Sequence, residues 1–457
     1  MCFIILSASI ALAVFVIKYI SKYFSKKSWK EDLGYDKGWF GKEEPLLDDS
    51  EDEAIHSFKI NVSDDVLNDL KRRLENPRYE TPVKDSNFRY GFNPDYMKEV
   101  VEYWKTQYDW RKQEKELNKF SHFKTRIEGL DIHFMHIKPN LPEGSKIKIV
   151  PLMIIHGWPG CFMEFMKVSP LLTTPRPGCP FVFEVICPSI PGFGFSESPH
   201  RKGLNARAAA RIFISLMERI GYSKFYVQGG DWGSCIASLM ARYYPERIIG
   251  LHVNMYLFNM LSLEKLNFVL LFVFPFLMSR EEYKLLFPLK KTLRFFLGET
   301  GYFHMNATKP DTLGCGMSDS PIGAAAYLLE KFSVATNAEN LDLPDGGLTQ
   351  KFSLDELLTL VMIYWVNNNF TSAARFYKEN VPEMFKVIHE KVPVTVPSAV
   401  AHFPNEGLML PKLLMSQQMK NLLFYTHMPK GGHFAAMEEP EIFAKDVWRF
   451  VEAVEKS

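Results

Sequence analysis

Five consecutive residues, Gly229-Gly230-Asp231-Trp232-Gly233, set a carboxylate among small neighbours. A strand-like run, Phe225–Gln228, precedes them, and a stretch rich in small and apolar residues, Ser234–Tyr244, follows. A strand that turns sharply into a helix lifts its central side chain to the top of the sheet. The flanking residues must be small because the turn imposes backbone angles and close approaches that larger ones would not tolerate. In that setting Asp231 is a nucleophile; in the blander reading it only caps the helix behind it. A carboxylate attacks a saturated, electrophilic carbon and leaves an alkyl ester on the protein. The substrate must then carry its leaving group on sp³ carbon, as an epoxide or an alkyl halide does.

Such chemistry needs an oxyanion hole and a base. His156-Gly157-Trp158-Pro159-Gly160 directly follows the apolar run Leu152–Ile155. A loop in that place can contribute one backbone N–H, that of Trp158, while Trp232 contributes the second. The same pentapeptide also reads as an ordinary Gly/Pro turn, and His156 itself is expected to be structural. Near the C-terminus, Gly431-Gly432-His433-Phe434 forms a Gly-rich loop after the strand-like Leu422–Met428. His402 and His427 compete with His433, but both fall within strand-like runs. Between Val394 and His433 the one acidic residue is Glu406. It is expected to orient His433 and to stabilise its imidazolium. The order Asp231, Glu406, His433 is the nucleophile, acid, histidine order of α/β-hydrolases. Water activated by His433 and Glu406 would cleave the Asp231 ester, the two N–H groups holding the tetrahedral oxyanion.

The elements that must position these groups read as α/β. Candidate strands are Leu152–Ile155, Phe181–Cys187, Phe225–Gln228, Val394–Ala401 and Leu422–Met428, with candidate helices at Ala206–Ile220 and Ser234–Tyr244. Alternating strands and helices predict a mostly parallel sheet flanked by helices on both faces. Asp64 to Phe120 is helical and amphipathic in pattern, with Ser63 as a cap and Pro94 in a first turn. The stretch from about Val253 to Tyr377 breaks the alternation and is rich in aromatics, which predicts an inserted helical cap. The expected organisation is therefore core over 149–252, cap over 253–377 and core again over 378–457. Within the cap, Phe268 to Met278 is an apolar run interrupted by Pro275, too short to span a bilayer. It is expected to be a buried cap helix, with contact to a membrane surface as the alternative.

The 457 residues carry 54 Lys+Arg against 53 Asp+Glu, and 47% are apolar. That composition excludes wholesale disorder, and the near-zero net charge argues against a nucleic-acid partner. Six cysteines are scattered with no C-x-x-C pair, which fits a reducing compartment and no metal site. Cys2 to Ile17 is an unbroken apolar and small-residue run, with Lys18, Lys22, Lys26, Lys27 and Lys30 after it and no basic residue before it. By the positive-inside rule, residues 1–20 are expected to form an uncleaved single-pass anchor with a lumenal N-terminus and a cytosolic catalytic domain. Ala11-Leu12-Ala13 resembles a signal-peptide cleavage site, but the basic n-region is missing. The sequons at Asn61, Asn306 and Asn369 would then stay unglycosylated.

The elbow, the His156–Gly160 loop, the run Val185-Ile186-Cys187-Pro188-Ser189-Ile190-Pro191-Gly192-Phe193-Gly194-Phe195-Ser196 and the ending Gly431-Gly432-His433-Phe434-Ala435-Ala436 together resemble the microsomal epoxide hydrolase family. The resemblance runs from Asp36-Lys37-Gly38-Trp39-Phe40-Gly41 to the C-terminus. It implies the α/β-hydrolase fold, with residues 21–148 wrapping core and cap. It places the catalytic triad on Asp231, Glu406 and His433, and it implies that two cap tyrosines, Tyr302 and Tyr377, donate hydrogen bonds to the epoxide oxygen. It also implies the endoplasmic reticulum membrane, no cofactor or metal, and lipophilic epoxides as substrates: arene and alkene oxides and some lipid or terpenoid epoxides. The enzymes that act on insect juvenile hormone share these motifs. A haloalkane dehalogenase or a catalytically silent, membrane-tethered binding protein would keep the fold without a use for the two tyrosines.

Overall fold

The computed structural model describes residues 38–44, 52–256, 274–384, 392–407 and 409–456. The expected anchor over residues 1–20, and the part of the cap apolar run up to residue 273, lie outside the described residues. Nine strands form one sheet: β1 (His56–Phe58), β2 (His122–Ile127), β3 (Leu130–Ile137), β4 (Lys148–Ile155), β5 (Phe181–Pro188), β6 (Phe225–Gly229), β7 (Ile248–Val253), β8 (Ser398–His402) and β9 (Leu422–His427). Their spatial order is β1-β2-β3-β5-β4-β6-β7-β8-β9. The first three join antiparallel, and every pairing from β5 to β9 is parallel. All eight residues of β5 and the last six of β4 are buried, the continuous apolar character that a parallel sheet covered on both faces demands.

Four of these strands, β1, β2, β3 and β7, have no counterpart among the sequence-based strands. β2 and β3 form a hairpin closed by Glu128 and Gly129, whose φ angles are 53° and 81°. That is the left-handed pair a two-residue hairpin loop needs. Gly129 also abuts the backbone of Gly41, where a Cβ would lie 2.7 Å from its nitrogen. The Arg211 guanidinium bonds both oxygens of Glu128 and ties the hairpin to the helix behind it. The candidate strand Val394–Ala401 is shorter than expected. Ladder pairing begins at Ser398, and Val394 makes only an isolated bridge to Met419.

Helices of seven or more residues are α1 (Asp64–Glu75), α2 (Pro94–Thr106), α3 (Trp110–Leu117), α4 (Ala206–Ile220), α5 (Asp231–Tyr243), α6 (Arg280–Leu286), α7 (Leu289–Glu299), α8 (Gly301–Thr308), α9 (Pro310–Asp319), α10 (Pro321–Thr336), α11 (Leu354–Asn367), α12 (Phe370–Met384), α13 (Lys412–Gln418) and α14 (Pro440–Glu455). Ser63 stands at the N-cap of α1 but makes no side-chain capping bond, whereas Asn93 accepts from Asp95 N–H ahead of Pro94. α5 packs on β4, β6 and β7, and α14 packs on β7 and β8. α1 and α2 contact α10, and α3 contacts α11.

Helices α6 to α12 fall between β7 and β8, and the last runs on past Tyr377. Their seat on the sheet is fixed by polar contacts to core loops. Tyr364 donates to Gly160 O at 2.8 Å, Ser372 to Gly192 O at 2.6 Å, and Asn369 to Gly194 O at 2.9 Å. Asn306 and Asn369 are buried, so those two sequons have no exposed acceptor nitrogen in the folded chain. At the other end of the apolar run, Phe274, Phe276 and Leu277 are exposed around a short 3₁₀ turn, in place of the buried helix expected there.

Candidate active site

β6 ends at Gly229 and α5 begins at Asp231, so the turn between them is a single residue long. Asp231 adopts φ 45°, a strained left-handed value for a residue with a side chain. Its neighbours explain how the strain is held. A Cβ on Gly229 would sit 2.3 Å from Gly233 C, and one on Gly233 would sit 2.0 Å from Ile155 O. Gly157 faces Asp231 so closely that a Cβ there would lie 2.2 Å from Oδ1. The small residues therefore let two core loops close on the Asp231 carboxyl.

That carboxyl accepts from Trp158 N–H at 2.7 Å on Oδ1, and the N–H of Trp232 also bonds it. Burial pushes its pKa up; the charge of His433 and the two N–H bonds pull against that, and the balance stays above the ordinary value. Oδ2 faces His433 instead, 3.7 Å from Nε2. On its other side His433 Nδ1 meets Glu406 Oε2 at 2.7 Å. Burial opposes the imidazolium, but the charges of Glu406, Asp231 and Glu164 outweigh it and raise His433 to about 10.

Glu406 and His433 come from separate turns that are stitched together. Asn405 N–H donates to Gly431 O at 3.1 Å, so the residue before Glu406 is bonded to the second residue before His433. Glu438 braces the histidine loop from below, accepting from Gly432 N–H at 2.8 Å and Phe434 N–H at 2.9 Å. His433 N–H reaches Ala335 O of α10, and Phe434 stacks on Phe332 with centroids 3.8 Å apart. The cap thus positions the histidine loop as well as covering it.

Tyr302 on α8 and Tyr377 on α12 meet over the elbow, because those two helices pack together. Tyr302 stacks on the Trp158 ring at 5.1 Å, and Lys331 Nζ lies 4.7 Å from the centre of its ring. Tyr377 is buried and stands edge-on to Trp158 at 5.7 Å and to Trp232 at 4.9 Å. Burial and the nearby Asp231 charge raise both phenols well above their ordinary range, so both keep their protons and can donate. All seven residues expected from the sequence, Asp231, Glu406, His433, Tyr302, Tyr377, Trp158 and Trp232, converge on one place.

The other histidines lie elsewhere or do other work. His156 accepts from Ile190 N–H through Nε2 at 3.1 Å and is held neutral by burial, its pKa lowered to about 4. His402 and His427 pair with each other across β8 and β9 at 3.1 Å. Two carboxyls near the triad had no sequence signal: the buried Glu438, described above, and the partly exposed Glu164, which lines the pocket holding Asp231 and His433. Neither falls in a spacing that a motif specifies. Among the described residues no group of three or more His, Cys, Asp or Glu side chains is placed to hold a metal ion.

A single-residue elbow between a parallel strand and a helix, with acid and histidine following in chain order after a helical insertion, defines the α/β-hydrolase fold. The family model "alpha/beta hydrolase fold" matches residues 150–440, and "Epoxide hydrolase N terminus" matches residues 55–165. Epoxide hydrolase 1 of Sus scrofa is 48% identical over 96% of this chain and 98% of its own length. Juvenile hormone epoxide hydrolase 2 of Ctenocephalides felis is 43% identical over 98% of this chain and 95% of its own. The crystal structure of juvenile hormone epoxide hydrolase from the silkworm Bombyx mori superposes with a TM-score of 0.88 at 39% identity, covering 92% of this chain and 99% of that one. The chain belongs to the epoxide hydrolase family of α/β-hydrolases.

Proposed function

We propose that the chain opens epoxides to vicinal diols in two steps through an ester on Asp231. Oδ2 is the oxygen away from Trp158 N–H and toward His433, and it attacks one oxirane carbon. The C–O bond of the ring breaks toward its oxygen, which takes hydrogen bonds from Tyr302 and Tyr377 and then a proton from that pair. Oδ1 becomes the ester carbonyl, already seated on Trp158 N–H, with Trp232 N–H as the second donor to the oxyanion. Water then adds to Cγ and gives its proton to His433 Nε2, Glu406 stabilising the imidazolium. The tetrahedral oxyanion collapses with cleavage of the Cγ–Oδ2 bond; the diol leaves with the former Oδ2 and the proton held on His433, and the proton left on the regenerated Asp231 carboxyl returns to the tyrosinate. The observation that carries this reading is the split environment of the Asp231 carboxyl, with Oδ1 on Trp158 N–H and Oδ2 facing the histidine. Esterification also removes the Asp231 charge, one of the charges that raise His433, so the imidazole becomes easier to deprotonate when a base is required.

The substrate class proposed is lipophilic epoxides, xenobiotic or lipid-derived. The aromatic walls of Trp158, Tyr302 and Tyr377 support it, and so do the relatives named for juvenile hormone. We place the protein at the endoplasmic reticulum membrane, held by residues 1–20 with the catalytic domain cytosolic; the apolar run before a lysine cluster supports this. Among the described residues no helix is long and apolar enough to cross a membrane. Residues 21–148 are proposed as a region wrapping a core over 149–252 and 378–457 and a cap over 253–377.

Single-turnover hydrolysis of styrene oxide in H₂¹⁸O with excess enzyme tests the mechanism. Label in the Asp231 carboxyl, and none in the first diol released, is the expected result. Label passing directly into the diol would mean that water attacks the epoxide and Asp231 is not the nucleophile.

A further inference from the structure

The ester that the proposed mechanism forms must meet a water molecule, and its alkyl group by then occupies the cap side of Asp231. A small chamber lies elsewhere around the same carboxyl. Its volume is about 20 Å³, room for about one water molecule, and its walls include Asp231, His433, Glu164, Gln228 and Asn254. Gln228 commits its amide nitrogen to Asn254 Oδ1 at 2.8 Å, while its Oε1 is buried without a partner in the chain. A buried acceptor in the wall of a water-sized chamber is the kind of group an ordered water satisfies.

Glu164 sits on the 3₁₀ turn Phe162–Phe165 that follows the oxyanion-hole loop. Its carboxyl folds back over Gly160, where a Cβ would lie 1.6 Å from Oε1, and Cys161 N–H holds it there. Any larger residue at 160 would displace it. Glu164 also borders a second cavity of about 270 Å³, walled by Leu117, Phe120, Met166, Lys167, Glu356 and Met437. Glu164 is the residue common to both linings.

We propose that Glu164 is the positioning residue for the hydrolytic water, and that this water reaches His433 from the second cavity past the Glu164 carboxyl. The inference rests on the ester mechanism above. One O–H of the water points to Glu164 and the other to His433 Nε2, which leaves an oxygen lone pair aimed at Asp231 Cγ. As the O–Cγ bond forms, the proton moves to Nε2; when the Cγ–O bond to the substrate breaks, that proton leaves with the diol. Glu164 neither gains nor loses a proton in the step. Burial and the Asp231 charge raise its pKa to about 8 against the opposing charge of His433.

The test resolves the two half-reactions with styrene oxide by rapid quench, following the alkyl-enzyme by mass. Variants are Glu164→Gln, Glu164→Ala and the cavity-filling Met166→Trp. The Glu164 variants should form the ester at the wild-type rate and hydrolyse it about 10- to 100-fold more slowly, so that alkyl-enzyme accumulates and kcat and KM fall together. Met166→Trp, which touches no triad residue, should slow the same step several-fold. Slowing of both half-reactions together, or of neither, in Glu164→Gln would overturn the positioning role. An unchanged hydrolysis rate in Met166→Trp would overturn the route. Absence of alkyl-enzyme in the wild type is a separate result and would remove the ester mechanism itself.

Discussion

His433 Nε2 stands 3.7 Å from Asp231 Oδ2, too far for a hydrogen bond although each side chain is only 14% exposed. A serine nucleophile would need that bond, because its hydroxyl must lose a proton to attack. A carboxylate needs no such help, and in the proposed mechanism the spacing leaves the imidazole for water. Asp231→Asn should therefore abolish ester formation and lower turnover by at least about 10⁴-fold, while His433→Gln should still alkylate and then stall. Mass analysis of protein quenched after one turnover separates the two. Alkyl-enzyme in Asp231→Asn, or its absence in His433→Gln, would contradict the division of labour.

Tyr302 and Tyr377 approach the elbow from different helices, and each phenol stays protonated. Replacing either with Phe removes one donor to the developing alkoxide, which should slow ring opening by about 10²–10³-fold. The double variant should be slower still. Hydrolysis of an ester formed slowly in these variants should proceed at the wild-type rate, since neither phenol serves that step. Equal slowing of the second step would move the tyrosines into a structural role.

The Glu406–His433 contact has a consequence for stability. His433 is raised from an ordinary 6.5 to about 10, so in that interval the folded chain binds more proton than the unfolded one. Stability from this site is fully present below pH 6.5 and is lost as pH rises toward 10, with an amplitude on the order of a few kcal/mol. Glu406→Gln removes a principal carboxylate that raises the imidazolium, which should flatten this decline and lower stability at the acid end of the window. Urea unfolding from pH 6 to 10 in both proteins would read the slopes. Parallel curves would rule out the contact as their source.

Gly233 is required by space at the elbow: a Cβ would fall 2.0 Å from Ile155 O. Gly233→Ala should destabilise the fold by about 1–3 kcal/mol, the usual cost of overpacking, and should disturb Trp232 N–H with it. Gly221→Ala makes a useful contrast, because nothing lies within 4 Å of a Cβ there and the cost comes from its φ of 103° alone. Denaturant midpoints for the two variants would show whether contact or conformation dominates.

The chain itself makes its chemistry readable, because an elbow, a Gly/Pro loop and a late Gly-His are each short and local. Asp231 is marked by the glycines the turn demands, and Glu406 by being the lone acid between Val394 and His433. Helix α4 was legible to the residue, with Asn205 capping it and Gly221 ending it in the left-handed conformation. Tyr302 and Tyr377 were reached only through resemblance, since nothing local separates them from the other 17 of the 19 tyrosines.

What local pattern could not supply was decided by packing between distant segments. β7 reads poorly as a strand because Gly250 and His252 interrupt it. In the fold, Gly250 leaves room for the rings of Phe450 and Tyr226, and His252 meets Asp446 of α14. β2 and β3 carry histidines and charges that their neighbours satisfy, as His133 does between His122 and Ser189. The same holds at the site. Glu164 is one carboxylate among 53 acidic residues until the chain folds it over Gly160 and into the wall of two cavities. Residue type and near-neighbour spacing determine which groups can react, because turn geometry and chemical reactivity act over a few bonds. Which of them share a chamber, and from which side water can enter it, depends on contacts between residues hundreds of positions apart.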